Sequence, residues 1–351
     1  MTAETRTVAL CGAGMISSAH ALAARYLGLP VIAVASRDHN KASTKANEFG
    51  ATAVDYGSLP AGADVVIVST PPGQHLEHTV HALERGAAVL VEKPLVRTLD
   101  EADRLVDLVA RVDGRVLYAE NLAHAPIIGE FLRTVSRITS RGESLGHLEA
   151  RTIQPLPTWG GFTTVEWGGG ALFDLGVHPL ALVVLVARVG GAGEVTAVSC
   201  RLDGDVTDEE ASVRLRFESG LIGSVTSSWR GDDTPVWDLQ TSTASSVVRA
   251  ELMPQLALEH NGDVVPLPDS SPKDSVPFIE RYGYLGQLRT LVDSDGDFEM
   301  SVEFGRWILE IVCASYSSAS RDGEWTPVPS GCDRLATPLE LWRRDIGRAA
   351  P

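Results

Sequence analysis

Asp174 and His178 stand four residues apart in Gly168-Gly169-Gly170-Ala171-Leu172-Phe173-Asp174-Leu175-Gly176-Val177-His178, a spacing that one helix would present on a single face. An imidazole titrating near neutrality can exchange a proton with a substrate hydroxyl, and a carboxylate beside it can orient the ring or bind a neighbouring hydroxyl. Glu92-Lys93-Pro94 supplies a second reactive group. It follows the apolar run Ala87-Ala88-Val89-Leu90-Val91, so Lys93 is delivered at the carboxyl end of a strand, the edge at which open α/β sheets bind ligands. The proline makes a cis Lys93-Pro94 bond accessible at modest cost. Taken singly, each segment has a plain alternative: a surface Lys-Pro turn in one case, a structural His-Asp contact in the other. Their order along the chain, together with three loops, favours chemistry.

The first loop is Gly12-Ala13-Gly14-Met15-Ile16-Ser17, which follows a strand and opens a helix, the setting a dinucleotide needs. Gly12 serves the tight turn, Gly14 lets a pyrophosphate approach the helix N-terminus, and Met15 and Ile16 form the first turn beside it. Ser17 stands where a third glycine would pack the helix on the strand. In the second loop, Ser36-Arg37 occupies the place where NAD-binding chains usually carry an acid. A hydroxyl and a guanidinium suit a 2'-phosphate, so NADP is expected in preference to NAD; a strand one or two residues longer would instead make Asp38 the ribose ligand. The third, Thr70-Pro71-Pro72-Gly73-Gln74-His75, keeps the backbone rigid and slim beside a flat ring such as nicotinamide, although an ordinary strand-to-helix loop with an exposed His75 reads the same way.

The elements that must hold these groups alternate regularly. Apolar runs near Val8-Leu10, Val31-Ala35, Val65-Ser69, Ala88-Val91 and Val116-Tyr118 predict strands, and amphipathic stretches near Ile16-Tyr26, Lys41-Glu48, Gln74-Arg85 and Leu99-Arg111 predict helices. Gly28, Gly50, Gly86 and Gly114 stand where those helices should stop. This is a Rossmann-type, doubly wound parallel sheet over residues 1–123. From 124 to 351 the pattern becomes α+β with a large, mostly antiparallel sheet. It comprises a helix at Pro126-Val135, period-two runs such as Val213-Arg214-Leu215-Arg216-Phe217, a turn at Glu218-Ser219-Gly220 into Leu221-Trp229, and a late helix from Ser301. Such a sheet has a second face to cover, and Trp229 and Trp237 suggest partial burial in a homodimer or homotetramer. Pro266-Ser275 reads as a flexible loop.

At 351 residues two cores are expected, and 44% hydrophobic with 22% charged residues is ordinary for a globular chain. A formal charge of -16 argues against nucleic acid and anionic membranes as partners. The four cysteines, Cys11, Cys200, Cys313 and Cys332, lack metal-type spacing, no metal is implied, and a reducing cytoplasm fits.

The Gly12 loop, Thr70-Pro71-Pro72 with His75, Glu92-Lys93-Pro94 and Asp174-x-Gly176-x-His178 together resemble the glucose-fructose oxidoreductase/inositol dehydrogenase (Gfo/Idh/MocA) family across nearly the whole chain. The resemblance implies NAD(P)-dependent hydride transfer with a sugar, inositol or related polyol. It implies a nicotinamide flanked by Lys93 and His178, Asp174 on the substrate's hydroxyls, and a cis Lys93-Pro94 bond. Glu92 and Asn121 join the expected cofactor set, and Trp159 the substrate set; Glu120 and Tyr282 are pocket-wall candidates. The chain departs from the family at Asn121-Leu122-Ala123-His124, where many members have Asn-Arg-Arg-Phe, and at Ala181, where an acid is frequent. Two rival readings remain: a non-catalytic NAD(P)-binding regulator and an NAD-dependent glycosidase of the same family.

Overall fold

A computed structural model describes residues 6–158, 160–267, 277–294, 296 and 298–346. Trp159 and most of Pro266-Ser275 fall outside the described residues.

The first half alternates β1 (Val8–Cys11), α1 (Met15–Tyr26), β2 (Val31–Ala35), α2 (His39–Phe49), β3 (Thr52–Val54), β4 (Val65–Val68), α3 (His75–Leu83), β5 (Ala88–Glu92), α4 (Leu99–Val112) and β6 (Val116–Ala119). The strands form a parallel sheet in the order β3-β2-β1-β4-β5-β6, the doubly wound arrangement expected, with β3 as an added edge too short to register in the sequence pattern. β1, β4 and β5 are buried throughout, which is why they read as unbroken apolar runs rather than alternating ones. Strand order reverses between β1 and β4, and their carboxyl ends make the crevice where such sheets take ligands. Gly28, Gly50 and Gly86 adopt left-handed conformations at helix ends as expected. After α4 that position falls on Asp113, at φ 50°, and not on Gly114.

The second half continues α5 (Pro126–Thr139), β7 (His147–Ile153), α6 (Ala171–Asp174), α7 (Val177–Val189), β8 (Val195–Asp203), β9 (Glu210–Phe217), β10 (Ile222–Ser228), β11 (Val236–Ser242), β12 (Val247–Met253), β13 (Ala257–His260), β14 (Asp263–Val264), α8 (Pro277–Arg281), α9 (Tyr284–Asp293), α10 (Val302–Ala319), β15 (Thr326–Pro327) and α11 (Pro338–Ile346). Its nine-stranded sheet runs β14-β13-β12-β11-β7-β10-β9-β8-β15, antiparallel except where β10 meets β7. β9 alternates exposed and buried along its length, as the period-two pattern predicts. α7 is apolar around its whole circumference because it packs on β7 and β10 and is buried on every side.

Two compact units result: Met1–Val96, Asp100–Ala125 and Ser270–Arg306 in one, and Arg97–Leu99, Pro126–Asp269 and Trp307–Pro351 in the other. A single division at 123/124 therefore misses a returning segment. α9 packs on α1, and the Tyr118 N–H donates to the Met300 carbonyl at 2.9 Å along the outer edge of β6, closing a sheet edge that would otherwise be open. Among the described residues, no single helix is long and apolar enough to cross a membrane.

Candidate functional site

In the first unit, Gly12 follows β1 at φ +122°, and a Cβ there would lie 2.7 Å from the Ser69 carbonyl oxygen, so both conformation and space demand glycine. Gly14 is the N-cap of α1, has no side-chain cap, and faces open space: no atom lies within 4 Å of where its Cβ would be. The amino-terminal N–H groups of α1 therefore lack intrahelical acceptors and meet no obstruction, the condition for binding a phosphate. Met15, 57% exposed, and Ile16 begin the helix. Ser17 is buried, and its hydroxyl donates to the Gly14 carbonyl at 2.6 Å, so a side chain fits in place of the third glycine by folding back on the loop.

β2 ends at Ala35, which leaves Ser36 and Arg37 just beyond the strand, with Arg37 exposed. Asp38 is the N-cap of α2, its carboxylate accepting from Asn40 N at 3.0 Å and Lys41 N at 3.3 Å. The acid that competed for the ribose role is thus engaged in holding a helix.

β4 leads into Thr70-Pro71-Pro72. Thr70 is buried, and its Oγ1 has no hydrogen-bond partner among the described residues, nor has the buried Gln74 Oε1. Orphaned polar atoms beside an uncapped helix end fit the polar edges of a dinucleotide. His75 does not share this role. It is 1% exposed, with Nδ1 3.0 and 3.2 Å from the Pro94 and Leu95 carbonyl oxygens and Nε2 2.7 Å from that of Thr70. Buried between the carbonyls of both loops, the ring donates its N–H to one of them and fills the space between, so the expected cofactor ligand is a packed structural element. Burial pushes the ring below its ordinary range, with the three carbonyls and Glu92 pulling the opposite way.

Lys93 follows β5 at the carboxyl edge, partly exposed, and the Lys93-Pro94 bond is cis. Glu92 points inward: His20 Nε2 donates to its Oε1 at 2.7 Å and the Lys93 N–H to its Oε2 at 3.1 Å. Despite burial, the His20 bond and nearby positive charge hold the Glu92 carboxyl below its usual range. Glu92 therefore anchors the backbone that presents Lys93 and does not face outward to a cofactor. Asn121 likewise turns inward, Nδ2 donating to the Tyr282 carbonyl at 2.6 Å. Glu120 is fully buried and accepts from Leu122 N.

In the second unit the expected single helix is broken. Asp174 ends the one-turn α6, His178 sits in the first turn of α7, and the stretch Val165–Asp174 bends by 46° against Val177–Val189 across Leu175-Gly176. The kink is local: Gly176 N turns back to the Ala171 carbonyl, and a Cβ on Gly176 would lie 2.7 Å from the Leu172 carbonyl oxygen. Both side chains are buried. The preceding glycines have a packing reason, since Cβ atoms at Gly169 and Gly170 would meet Phe173 Cβ at 2.3 Å and the Asp208 carbonyl oxygen at 2.1 Å. Asp208 also accepts from Leu172 N through Oδ2 at 2.8 Å, and the Tyr316 hydroxyl donates to its Oδ1 at 2.5 Å while accepting from Gly170 N at 3.0 Å.

Trp237 stacks obliquely on His178, ring centroids 5.6 Å apart. Trp229 is 4% exposed within its own unit, clustered with Phe162, Ala171 and Leu175, which removes it from any face that another subunit would cover. The buried Nε1 atoms of Trp167, Trp229 and Trp237 have no partner among the described residues. Sequence reasoning passed over four contributors: His20, a polar residue on an otherwise alanine-rich buried helix face; Gln74; Asp208, hidden in an acidic run; and Tyr316, within an apolar helix. Only His20 left a visible signal, through that mismatch of polarity.

Residues 6–120 match the model of an oxidoreductase family with an NAD-binding Rossmann fold, and residues 142–243 match the GFO/IDH/MocA C-terminal domain. A dTDP-3,4-didehydro-2,6-dideoxy-alpha-D-glucose 3-reductase of Saccharopolyspora spinosa is 35% identical over 55% of this chain and 58% of its own length. D-glucoside 3-dehydrogenase of Escherichia coli is 32% identical over 57% and 59%. The match thus spans a little under three-fifths of these curated relatives. In fold, the chain is similar to GenD2 from gentamicin A biosynthesis, solved in complex with NAD: TM-score 0.80, 22% identity, 93% of this chain and 97% of the other.

Proposed function

Since the chain belongs to the GFO/IDH/MocA oxidoreductase family, we propose that it is a nicotinamide-dependent sugar oxidoreductase that favours NADP. The observation carrying the reading is the forced Gly12 turn, with the uncapped, unobstructed α1 terminus and the orphaned Thr70 hydroxyl beside it. Ser36 and Arg37, beyond a strand that ends at Ala35 and next to an Asp38 already spent as a cap, support a 2'-phosphate. The nicotinamide supplies or accepts the hydride when bound. In the oxidative direction His178 accepts a hydroxyl proton, Lys93 hydrogen-bonds a substrate oxygen as negative charge develops, and Asp174 binds a neighbouring hydroxyl. Trp237 offers an aromatic wall beside His178, and the unpaired indole donors suit a ligand rich in oxygen acceptors.

A sugar, inositol or related polyol is the proposed substrate class, supported by relatives whose names are those of a sugar 3-reductase and a glucoside 3-dehydrogenase. A cytoplasmic homodimer or homotetramer joined through the large sheet is also proposed, from the second face that such a sheet has to cover. The test offers NADP or NAD with a panel of sugars, inositols and polyols and follows the near-ultraviolet absorbance of the reduced nicotinamide. Wild-type protein produces the signal and His178→Ala loses about 10²- to 10⁴-fold in turnover with cofactor affinity kept. Unchanged turnover in the variant removes His178 from the proton role, and silence of the wild type across the panel with cofactor bound overturns the dehydrogenase assignment.

A further inference from the structure

Cys313 lies inside α10 with its side chain buried, and Cys332 is partly exposed in the loop between β15 and α11. That loop is pinned to α10 at two points that bracket Cys332. The Ser330 N–H donates to Glu310 Oε1 at 3.2 Å, and Arg334 Nη1 lies 3.6 Å from Glu310 Oε2. Glu310 and Cys313 are neighbours at helical i,i+3 spacing, so a loop clamped on Glu310 from both sides is laid across Cys313. The two thiols hydrogen-bond one another there, and Ser330 gives Cys332 a further hydrogen bond.

The environments of the two sulfurs oppose each other. The bond from Cys313 draws Cys332 down to about 7, with Ser330 and Arg334 acting the same way against burial and Glu310. Cys313, the donor in that bond and buried, is driven well up. Near neutrality one sulfur is substantially a thiolate and its neighbour keeps its proton.

We propose that Cys332 and Cys313 form a hydroperoxide-responsive dithiol, with Cys332 the attacking sulfur and Cys313 the resolving one. Cys332 attacks a peroxide oxygen, the O–O bond breaks, water or an alcohol leaves, and Cys332 becomes a sulfenic acid. The Cys313 sulfur then displaces the sulfenic oxygen, which departs as water with the Cys313 proton as the S–S bond forms. Two thiols lose two electrons and two protons, and one hydroperoxide is reduced. The bond staples the loop that leads to α11, whose Leu339 N–H donates to the Gly168 carbonyl at 2.9 Å at the start of the glycine run.

The full-length protein is treated with hydrogen peroxide at neutral pH, alkylated, digested and read by mass spectrometry. The expected product is a Cys313–Cys332 cross-linked peptide about two mass units lighter than its free parts and released by dithiothreitol. Cys332→Ser, a change in a partly exposed loop, abolishes it. Cys313→Ser keeps a hydrogen-bond donor beside Cys332 while removing the resolving sulfur, so Cys332 stays as a sulfenic acid that dimedone traps; if that buried change prevents folding, the Cys332→Ser comparison alone decides. Sulfoxidation of the exposed Met15 serves as the dose control. Both thiols surviving a dose that oxidises Met15, or Cys332 passing to sulfinic acid without a cross-link, overturns the proposal.

Discussion

Arg37 is placed by where a strand stops and by what its neighbour is doing. β2 ends at Ala35, and Asp38 two residues later spends its carboxylate on Asn40 and Lys41 N–H groups. An aspartate so engaged caps α2, a role worth about 1 kcal/mol, and is poorly free to hold ribose hydroxyls. The guanidinium is then the charge that sets cofactor choice. Arg37→Ala is expected to weaken NADPH binding on the order of 10- to 100-fold, the range for one lost charge-assisted contact, with NADH affinity nearly unchanged. Fluorescence titration with each reduced dinucleotide reads this directly, and an equal loss for both would end the 2'-phosphate assignment.

Elements shorter than a few turns hold their shape only through what grips their ends, and α6 is a single turn. Asp208 and Tyr316 do the gripping, with Asp208 on Leu172 N and both residues on the Gly170 segment. Tyr316→Phe leaves the Gly170 N–H and a buried carboxylate each short of a partner, so about 2–3 kcal/mol of stability should be lost. A urea transition at unchanged midpoint would show that the grip contributes nothing. Gly170→Ala should cost more, because its methyl group meets backbone at Asp208. This is the level at which sequence reading reached its limit. The buried runs of β1, β4 and β5 and the alternation of β9 are local patterns and were legible as strands. The break between Asp174 and His178 was passed over, although its signals are local too: Gly176 at the junction and Pro179 in the first turn of α7. Not legible were the inward turns of Glu92, His75 and Asn121, whose partners lie 72, 20 or 161 positions away in the chain.

At the scale of the whole chain, the least legible feature is the return of Ser270–Arg306 to the first unit, a long-range pairing that composition and periodicity do not encode. His124 lies against that returning segment. Its carbonyl approaches Gly286 closely, its Nδ1 is 3.4 Å from Thr290 Oγ1, and its Nε2 is buried without a partner among the described residues. Burial alone lowers the ring to about 4, so the folded protein holds it neutral where the unfolded chain, at about 6.5, would protonate it. Because the unfolded state binds the extra proton, stability is complete above about 6.5 and falls as pH drops toward the folded value, by up to 1.36 kcal/mol per unit for one such group. The residual exposure of the ring reduces the total to roughly 2–3 kcal/mol. Acidification also relaxes the self-repulsion of a chain carrying -16, which acts in the opposite direction and obscures the raw profile. The informative quantity is therefore a difference. Urea stability of wild type and His124→Gln, measured at intervals from pH 7 to 4, should show the wild type losing about 2–3 kcal/mol more than the variant, since the charge background is common to both. Parallel profiles would mean that the ring is hydrated in the folded state and that the returning segment does not seal it.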